Sequence, residues 1–430
     1  MRLQSHTAVY NLTLKGIFYR IQQMPKEIII LNALALSYYF IIIFQMESPL
    51  NEDTMFYAAD AYNYIEMMEW FKGNSETEFT QIRPLLFPLF IFIPFQLFGV
   101  YGIWLLQVVF WLLSINFIYL SIKKLTNKTL FAVIGAIVIA ANLSYIAMTM
   151  HTLTEVTTIF LLSILGYIFC ENQSKILEPF VLNRLMFVLV LMTLIKPLFF
   201  IPVLIVLGVF FPFFYLKKYL IKPKQFIFLS LAILPLIAQM TFVKIKHQHF
   251  TVSTIGSYTF KYYYFAQGMS EIENTPRPEI DTKIENYSIG DQFEYILLHK
   301  EHYYKWLCRT IEKNIKGLPV FVKMEDKNEG MVSYMLEYNY WSYHLHKVFL
   351  ILFVPTLILL LAFKKQSKNQ LLILLILGAI NYYILFASGI SYWQGDRLTL
   401  PSLAIWPLQY LFTVHILCLK LPLLLKKNRK

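Results

Sequence analysis

EIIILNALALSYYFIIIFQ, residues 27–45, is the first of a series of apolar runs that recur along the whole chain. About 20 mostly apolar residues suffice to cross a bilayer as a helix, and this run has that length. It lies too far into the chain and is too long for a cleavable signal peptide, and no small-residue cleavage site follows it, so it is expected to remain as a transmembrane helix. Hydrophobic residues make up 57% of the 430 positions, aromatic residues 17% and charged residues 15%, which excludes an ordinary soluble domain. The expected fold is an all-α polytopic membrane protein with about ten transmembrane helices, added interfacial helices and one larger external segment.

The formal net charge of +12 raises the possibility of nucleic-acid binding, but the basic residues gather in short segments at the ends of apolar runs. Arg2 to Lys26, Lys123-Lys124 with Lys128, Lys217 to Lys224, Lys364 to Lys368 and the KKNRK tail all fall on the cytoplasmic side of one consistent path. Topology therefore explains the charge, and no nucleic-acid partner is implied. The three cysteines, Cys170, Cys308 and Cys418, are far apart and indicate neither a disulfide framework nor a zinc site.

With both termini cytoplasmic, the chain divides into an N-terminal transmembrane module (1–243), an external soluble segment (244–345) and C-terminal transmembrane helices (346–430). The first module carries an external loop at 47–100. Spans follow at about 102–122, 129–149 and 152–170, then two short ones within 185–216 that turn at IKPLF, and one at about 225–243. The last three lie at about 347–363, 370–387 and 398–419. Pro84 to Phe98 is apolar but broken by prolines and reads as an interfacial or re-entrant helix.

FYAADAYNYIEMMEWF (Phe56–Phe71) reads as one amphipathic helix with Tyr57, Tyr64, Met67, Met68 and Phe71 in its apolar stripe. Asp60 falls inside that stripe, and Asp53, seven residues earlier, would share nearly the same face. On the path above, Asp60, Arg83, Glu155, Lys196, Asp396 and Arg397 all reach the external side. Each alone can be an ordinary interfacial charge. Together, at about 2.5–3.5 kcal/mol each for insertion into the apolar layer, they point to a polar cavity on one side of the membrane.

One chemistry suits such a set. A sugar delivered on a lipid phosphate already carries a leaving group of low basicity, so one carboxylate suffices to orient or deprotonate the acceptor, whereas glycoside hydrolysis normally needs two. Positive charge is then needed to hold the phosphate, from Arg and Lys or from a divalent metal.

The same residues carry a family resemblance. DAYNY (Asp60–Tyr64) resembles the first-loop pattern of the class C glycosyltransferases, the multispanning group that includes protein O-mannosyltransferases and lipid A aminoarabinose transferases. RPLLFPLF resembles the basic-Pro-Pro-Leu-aromatic element after that loop, TLTE the Thr-Glu turn, and TLIKP the Leu-Thr-basic-Pro turn. FTVSTIGSYTFKYYYF resembles the Gly-Tyr-Asn-Leu-Tyr segment that opens the external domain, and GDRLTLPSLAIWPL the Arg-aromatic-x-x-Pro start of the last spans. The resemblance spans about residues 25 to 415. It implies Asp60 as catalytic residue with Tyr64, Glu155 and Tyr258 in support; the phosphate chemistry takes Arg83, Lys196 and Arg397 as ligands of the donor phosphate, and Asp53, on nearly the same helical face as Asp60, is the competing carboxylate. The implied partners are a polyprenyl-phosphate-sugar donor, an acceptor glycolipid, glycan or protein, and membrane lipids, at the inner (plasma) membrane. No cofactor is fixed, and a divalent metal stays open. Ala61 stands where the family often has a second acid, Leu85 replaces the second proline, Thr259 replaces Asn, and Arg397 lacks its aromatic neighbour.

His151 reads as an interfacial histidine rather than a ligand. The external segment is rich in tyrosine; YILLHKEHYYKWLCRTIEKNIKG (Tyr295–Gly317) reads as one amphipathic helix on the membrane or over the site, and ENTPRPEIDTKIENYSIGD (Glu273–Asp291) as a mobile loop. Two other functions use similar parts: an O-antigen polymerase or ligase, and a lipid-linked saccharide transporter or flippase. The latter usually shows internal repeats, and the sequence shows none.

Overall fold

The computed structural model describes residues 25–46, 50–74, 77–216, 218, 222–319, 329–391 and 393–427. Most of the first basic segment, Lys217 and the end of the tail lie outside these residues. Every regular element among the described residues is helical. Six helices are long and apolar enough to cross a membrane: Lys26–Gln45, Val100–Thr126, Pro197–Phe214, Pro223–His247, Glu329–Ala362 and Lys368–Ile390. Shorter apolar helices at Thr129–Ala140 and Pro179–Ile195, with Glu155–Glu171 and Trp406–Lys427, occupy the other predicted spans. The architecture is that of an all-α polytopic membrane protein.

Half of the apolar window of Val100–Thr126 is buried, against 11% for Pro197–Phe214, so the former is central and the latter peripheral. Glu155–Glu171 packs along the central helix, with Phe110 and Phe160 stacked at 4.4 Å. Leu86–Phe98, predicted as interfacial or re-entrant, is a separate helix that doubles back onto the central one through Gly99. Gly99 has φ +59°, a conformation that disfavours any residue with a Cβ. Three residues on, a Cβ at Gly102 would meet the Pro94 carbonyl oxygen at 2.1 Å, so the helices of this hairpin touch backbone to backbone.

Connections at one end of the bundle are tied to each other. Thr152 N donates to Met55 O (2.8 Å), Gln107 Nε2 to His151 O (3.0 Å), Thr254 N to Gln81 O (3.0 Å) and Asp396 N to Gly317 O (3.2 Å). Leu85 N donates to Gln239 Oε1 across the same end (3.3 Å). Buried backbone groups outside helices need such partners, and here they weld the loops into one platform.

Several local expectations are corrected. Phe56–Phe71 is not one helix: Glu52–Met55 ends at Phe56, Ala58 is extended, and the main helix is Ala59–Phe71. Tyr57 is therefore exposed outside the stripe, while Tyr64, Met67 and Met68 are buried. The 129–149 run breaks at Ala141, with Asn142 capping a second helix, Leu143–Met148. The Glu273–Asp291 tract is largely ordered as the helix Arg277–Ile284, which Pro278 starts, an Arg277–Asp281 pair braces, and buried Ile280 and Ile284 anchor. The predicted boundary at residue 345 lies inside the continuous helix Glu329–Ala362.

The Gly102 contact gives a test of this packing. Gly102→Val should lower the thermal midpoint in detergent, at a cost of about 1–3 kcal/mol for overpacking. Gly208→Ala, where a Cβ meets nothing within 4 Å, should leave it unchanged. Equal midpoints for the two variants would remove the hairpin contact.

Candidate active site

The platform gathers the predicted ionisable residues. Asp60 is the second residue of the helix Ala59–Phe71, in its first turn. Arg83 ends the short helix Phe79–Ile82 and precedes Pro84; Lys196 ends Pro179–Ile195 and precedes Pro197. A residue before proline is pushed out of the helical region, and both are extended, with ψ of 133° and 105°. The same prolines thus stop two helices and turn two cations off their axes. Glu155 is the first residue of Glu155–Glu171, where the helix dipole favours an anion. Arg397 lies in the 3₁₀ turn Gly395–Leu398.

These side chains form one continuous chain of ion pairs. Arg83 Nη2 donates to Asp60 Oδ1, and Arg397 Nη2 donates to Asp60 Oδ2 at 2.6 Å. Arg397 Nε donates to Glu155 Oε1 at 2.8 Å, and Lys196 Nζ donates to the same oxygen at 3.1 Å. Three cations thus face two carboxylates, and the cluster keeps one net positive charge. Side-chain exposure divides it: Arg397 and Glu155 are 6% and 1% exposed, whereas Asp60, Arg83 and Lys196 are 23%, 15% and 17% exposed. The inner pair is framework, and the outer three line an open margin.

Tyr64, one turn after Asp60, is buried with its ring 5.8 Å from the Arg83 guanidinium and edge-on to Phe87. Tyr258 is half exposed at the end of the short helix Ile255–Tyr258, with its ring tilted against Tyr262 and edge-on to Tyr263, both in the π-helical stretch Thr259–Phe265. Its helix packs against Pro197–Phe199, beside Lys196. Tyr263, which the sequence did not single out, has its hydroxyl pKa raised by burial first and then by Tyr258 and Asp60. His151 is buried rather than interfacial, and burial lowers its pKa to about 4. Asp53 is not brought in: it sits exposed on Glu52–Met55, and the break at Phe56–Ala58 destroys the seven-residue register with Asp60. Among the described residues no group of three or more His, Cys, Asp or Glu side chains comes together as a metal-ligand set.

Burial pushes the Asp60 carboxyl up, but Arg397, Arg83 and Lys196 outweigh it and hold the pKa below the usual range. Asp60 is therefore ionised at neutral pH. Its two oxygens offer about four acceptor positions, so the two guanidinium contacts leave room for a ligand hydroxyl.

Asp396 behaves in the opposite way. Its Oδ2 accepts from Ser144 Oγ and from Asn339 Nδ2 at 3.0 Å. Burial outweighs these neutral donors and pushes its pKa up to about 7. Gly395, with φ +65°, lets the turn pass the Leu318 carbonyl, which a Cβ would meet at 1.6 Å. Asp396 and Gly395 thus clamp the turn that presents Arg397.

No family model, characterised protein or solved structure matches the chain. The functional reading rests on the geometry and on the motifs themselves.

The two aspartates give stability opposite pH dependence. Asp60, with a lowered folded pKa, contributes stability above its ordinary value that is lost as acidification passes that value and the folded one. Asp396, with a raised one, contributes stability that is fully present below its ordinary value of 3.8 and lost as pH rises to about 7. Thermal midpoints in detergent should fall between about pH 4 and pH 7 through Asp396, and Asp396→Asn should flatten that slope. An unchanged slope in the variant would refute the assignment.

Proposed function

We propose that the chain is an integral-membrane glycosyltransferase that moves a sugar, with inversion, from a polyprenyl-phosphate donor to an acceptor hydroxyl on the external face of the plasma membrane. The observation that carries this reading is the cluster itself: three cations compensated by two carboxylates, with its open margin formed by Arg83, Asp60 and Lys196. The class C resemblance gains support from the same fact. Asp60, Arg83, Glu155, Lys196 and Arg397 come from five separate motifs, and they meet in one network.

Access for a lipid donor is consistent with the surroundings. Gln107, which bonds to His151, lies seven residues inside Val100–Thr126, so about 10 Å of that helix extends beyond the platform. This projecting hairpin exposes Ile93, Leu97, Phe98, Tyr101 and Leu105, an apolar flank on which an isoprenoid chain can lie.

In this reading Arg83 and Lys196 hold the donor phosphate at the margin, while Arg397 is engaged with Asp60 and Glu155 and keeps them in place. The acceptor oxygen attacks the anomeric carbon from the face opposite the phosphate. As that bond forms, the bond from the anomeric carbon to the phosphate oxygen breaks, and its electron pair leaves with the polyprenyl phosphate. The growing charge falls against the cations. A carboxylate of low basicity takes the hydroxyl proton only late, so Asp60 first orients the acceptor and then receives its proton.

Two measurements test the reading. In nanodiscs, Arg83→Ala or Lys196→Ala should weaken binding of a polyprenyl phosphate by on the order of 10- to 100-fold, the loss of one charge-assisted hydrogen bond. In cells, Asp60→Asn should lower the thermal midpoint, because the ion pairs with Arg83 and Arg397 are lost, yet still reach the membrane, and at equal protein level it should reduce the sugar added to envelope glycans or lipids by about 100-fold or more, read by mass spectrometry. Unchanged glycans with a stable Asn variant, or a wild type that does not bind polyprenyl phosphate, would sink the proposal.

A further inference from the structure

The external segment contains a helix whose exposed side is apolar. Ile289–Leu298 is started by a capping box, in which Ser288 accepts from Asp291 N and the Asp291 carboxylate accepts from Ser288 N. Gln292, Tyr295 and Ile296 face the rest of the external segment, and Phe293 contacts Phe260 at 5.3 Å between ring centroids. Ile289, Phe293 and Leu297 are 64%, 52% and 69% exposed. At 100° per residue these three fall within an arc of about 80°, whereas Asp291 and Glu294 lie about 100° or more from its centre. Three faces follow: one against the protein, one apolar and open, and one open face that carries Asp291 and Glu294 together with Leu298, 74% exposed at the helix end.

That division suits a helix lying where protein, lipid and water meet. Its neighbours place it at such a boundary. The next helix, Lys300–Lys316, crosses the outer end of the span Lys368–Ile390, where a Cβ at Gly389 would meet Ile311 and Leu307 at 2.6 and 2.7 Å. Asn314 Nδ2 donates to Ser388 O at 2.9 Å at the same point. The span's last turn and the external helix are thus in contact from Leu307 to Asn314, and the apolar stripe ends at Leu297, ten residues before Leu307 and across the break at His299. The Lys300–Lys316 helix itself presents Lys300, Glu301, Lys305, Arg309 and Lys313 outward, a polar face suited to headgroups and water.

We propose that Ile289–Leu298 docks into the outer leaflet of the bilayer, with Ile289, Phe293 and Leu297 at the headgroup–acyl boundary and Glu294 in water. The occupant of the stripe is lipid, not a second protein. The assignment makes the external segment a membrane-riding cover rather than a freely solvated domain, and it does not depend on the transferase reading.

Site-directed spin labelling tests it on the full chain in phospholipid nanodiscs. Cys308 and Cys418 are exposed and would be replaced by serine, while Cys170 is buried and stays. A nitroxide is then placed at Leu297→Cys, at Glu294→Cys, and at Ile351→Cys as a reference on the exposed side of the span Glu329–Ala362. Collision rates with oxygen, which concentrates in lipid, and with a water-soluble nickel chelate are measured at each. The expected result is oxygen-dominated relaxation at 297, as at 351, and chelate-dominated relaxation at 294. Chelate access at 297 equal to that at 294 would overturn the proposal in favour of a solvated helix. Access of neither reagent at 297 would overturn it in favour of a protein partner or a second copy.

Discussion

A chain of ion pairs, Arg83–Asp60–Arg397–Glu155–Lys196, ties together the connections at one end of the helix bundle. Removing charges from water is costly, and a buried charge persists only when its partners are held in good geometry. The five groups come from widely separated parts of the sequence, so keeping them together forces five connections to meet. The hydrogen bonds that weld those connections into a platform answer that demand. So do the two X-Pro pairs, which end helices where Arg83 and Lys196 must turn toward the centre. Among the described residues the network joins three cations to two carboxylates, and Asp60, Arg83 and Lys196 are the members that keep partial exposure.

The members of the cluster are not equivalent. Arg397 and Glu155 are almost completely buried and bonded to each other, so their service is to fix Asp60 and Lys196. Asp60, Arg83 and Lys196 keep some exposure and can exchange a protein contact for a ligand contact. In the proposed reading Arg397 supports Asp60 and Glu155, whereas the phosphate chemistry read from the sequence implies a phosphate ligand at this position. Two aspartates touched by the same 3₁₀ turn have pKa values pushed in opposite directions because of their partners. Asp60 meets two guanidinium groups, and Asp396 meets a hydroxyl and an amide. A difference of that kind is a sign of functional placement when it falls at a cleft.

Much of the architecture was legible because apolar run length is a strong signal, and the long runs at 26–45, 223–247 and 368–390 each became a helix. The five charges were legible for a related reason: an isolated ionisable residue at the end of an apolar run is conspicuous. Their pairing was not, since it depends on how far each loop reaches across the platform. Asp53 failed because helical register was carried across Ala58, where an extended residue breaks it. The tract at 273–291 was misread because its polar composition hid two buried isoleucines at i, i+4, Ile280 and Ile284. The partners of Asp396 were not legible because proximity in sequence to Arg397 says nothing about direction. Adjacent side chains of a 3₁₀ turn diverge, and Ser144 and Asn339 come from elements that the sequence does not connect to it.

The Tyr295–Gly317 run shows how a correct periodicity can be attached to the wrong helix. Its strong amphipathic pattern suggested a single helix on the membrane, but His299 divides it. The longer part directs Tyr303, Trp306, Leu307 and Thr310 into the protein, so its apolar face is already covered. The shorter part begins before the predicted run and keeps its apolar stripe open. Burial by the protein consumes amphipathicity in one case and leaves it for lipid in the other, and only the contacts distinguish them. With Asn314 tied to Ser388 and Gly317 tied to Asp396, the same covered helix leads into the turn that carries Arg397. The external helix and the turn that carries Arg397, the partner of Asp60, are therefore joined by direct backbone and side-chain hydrogen bonds.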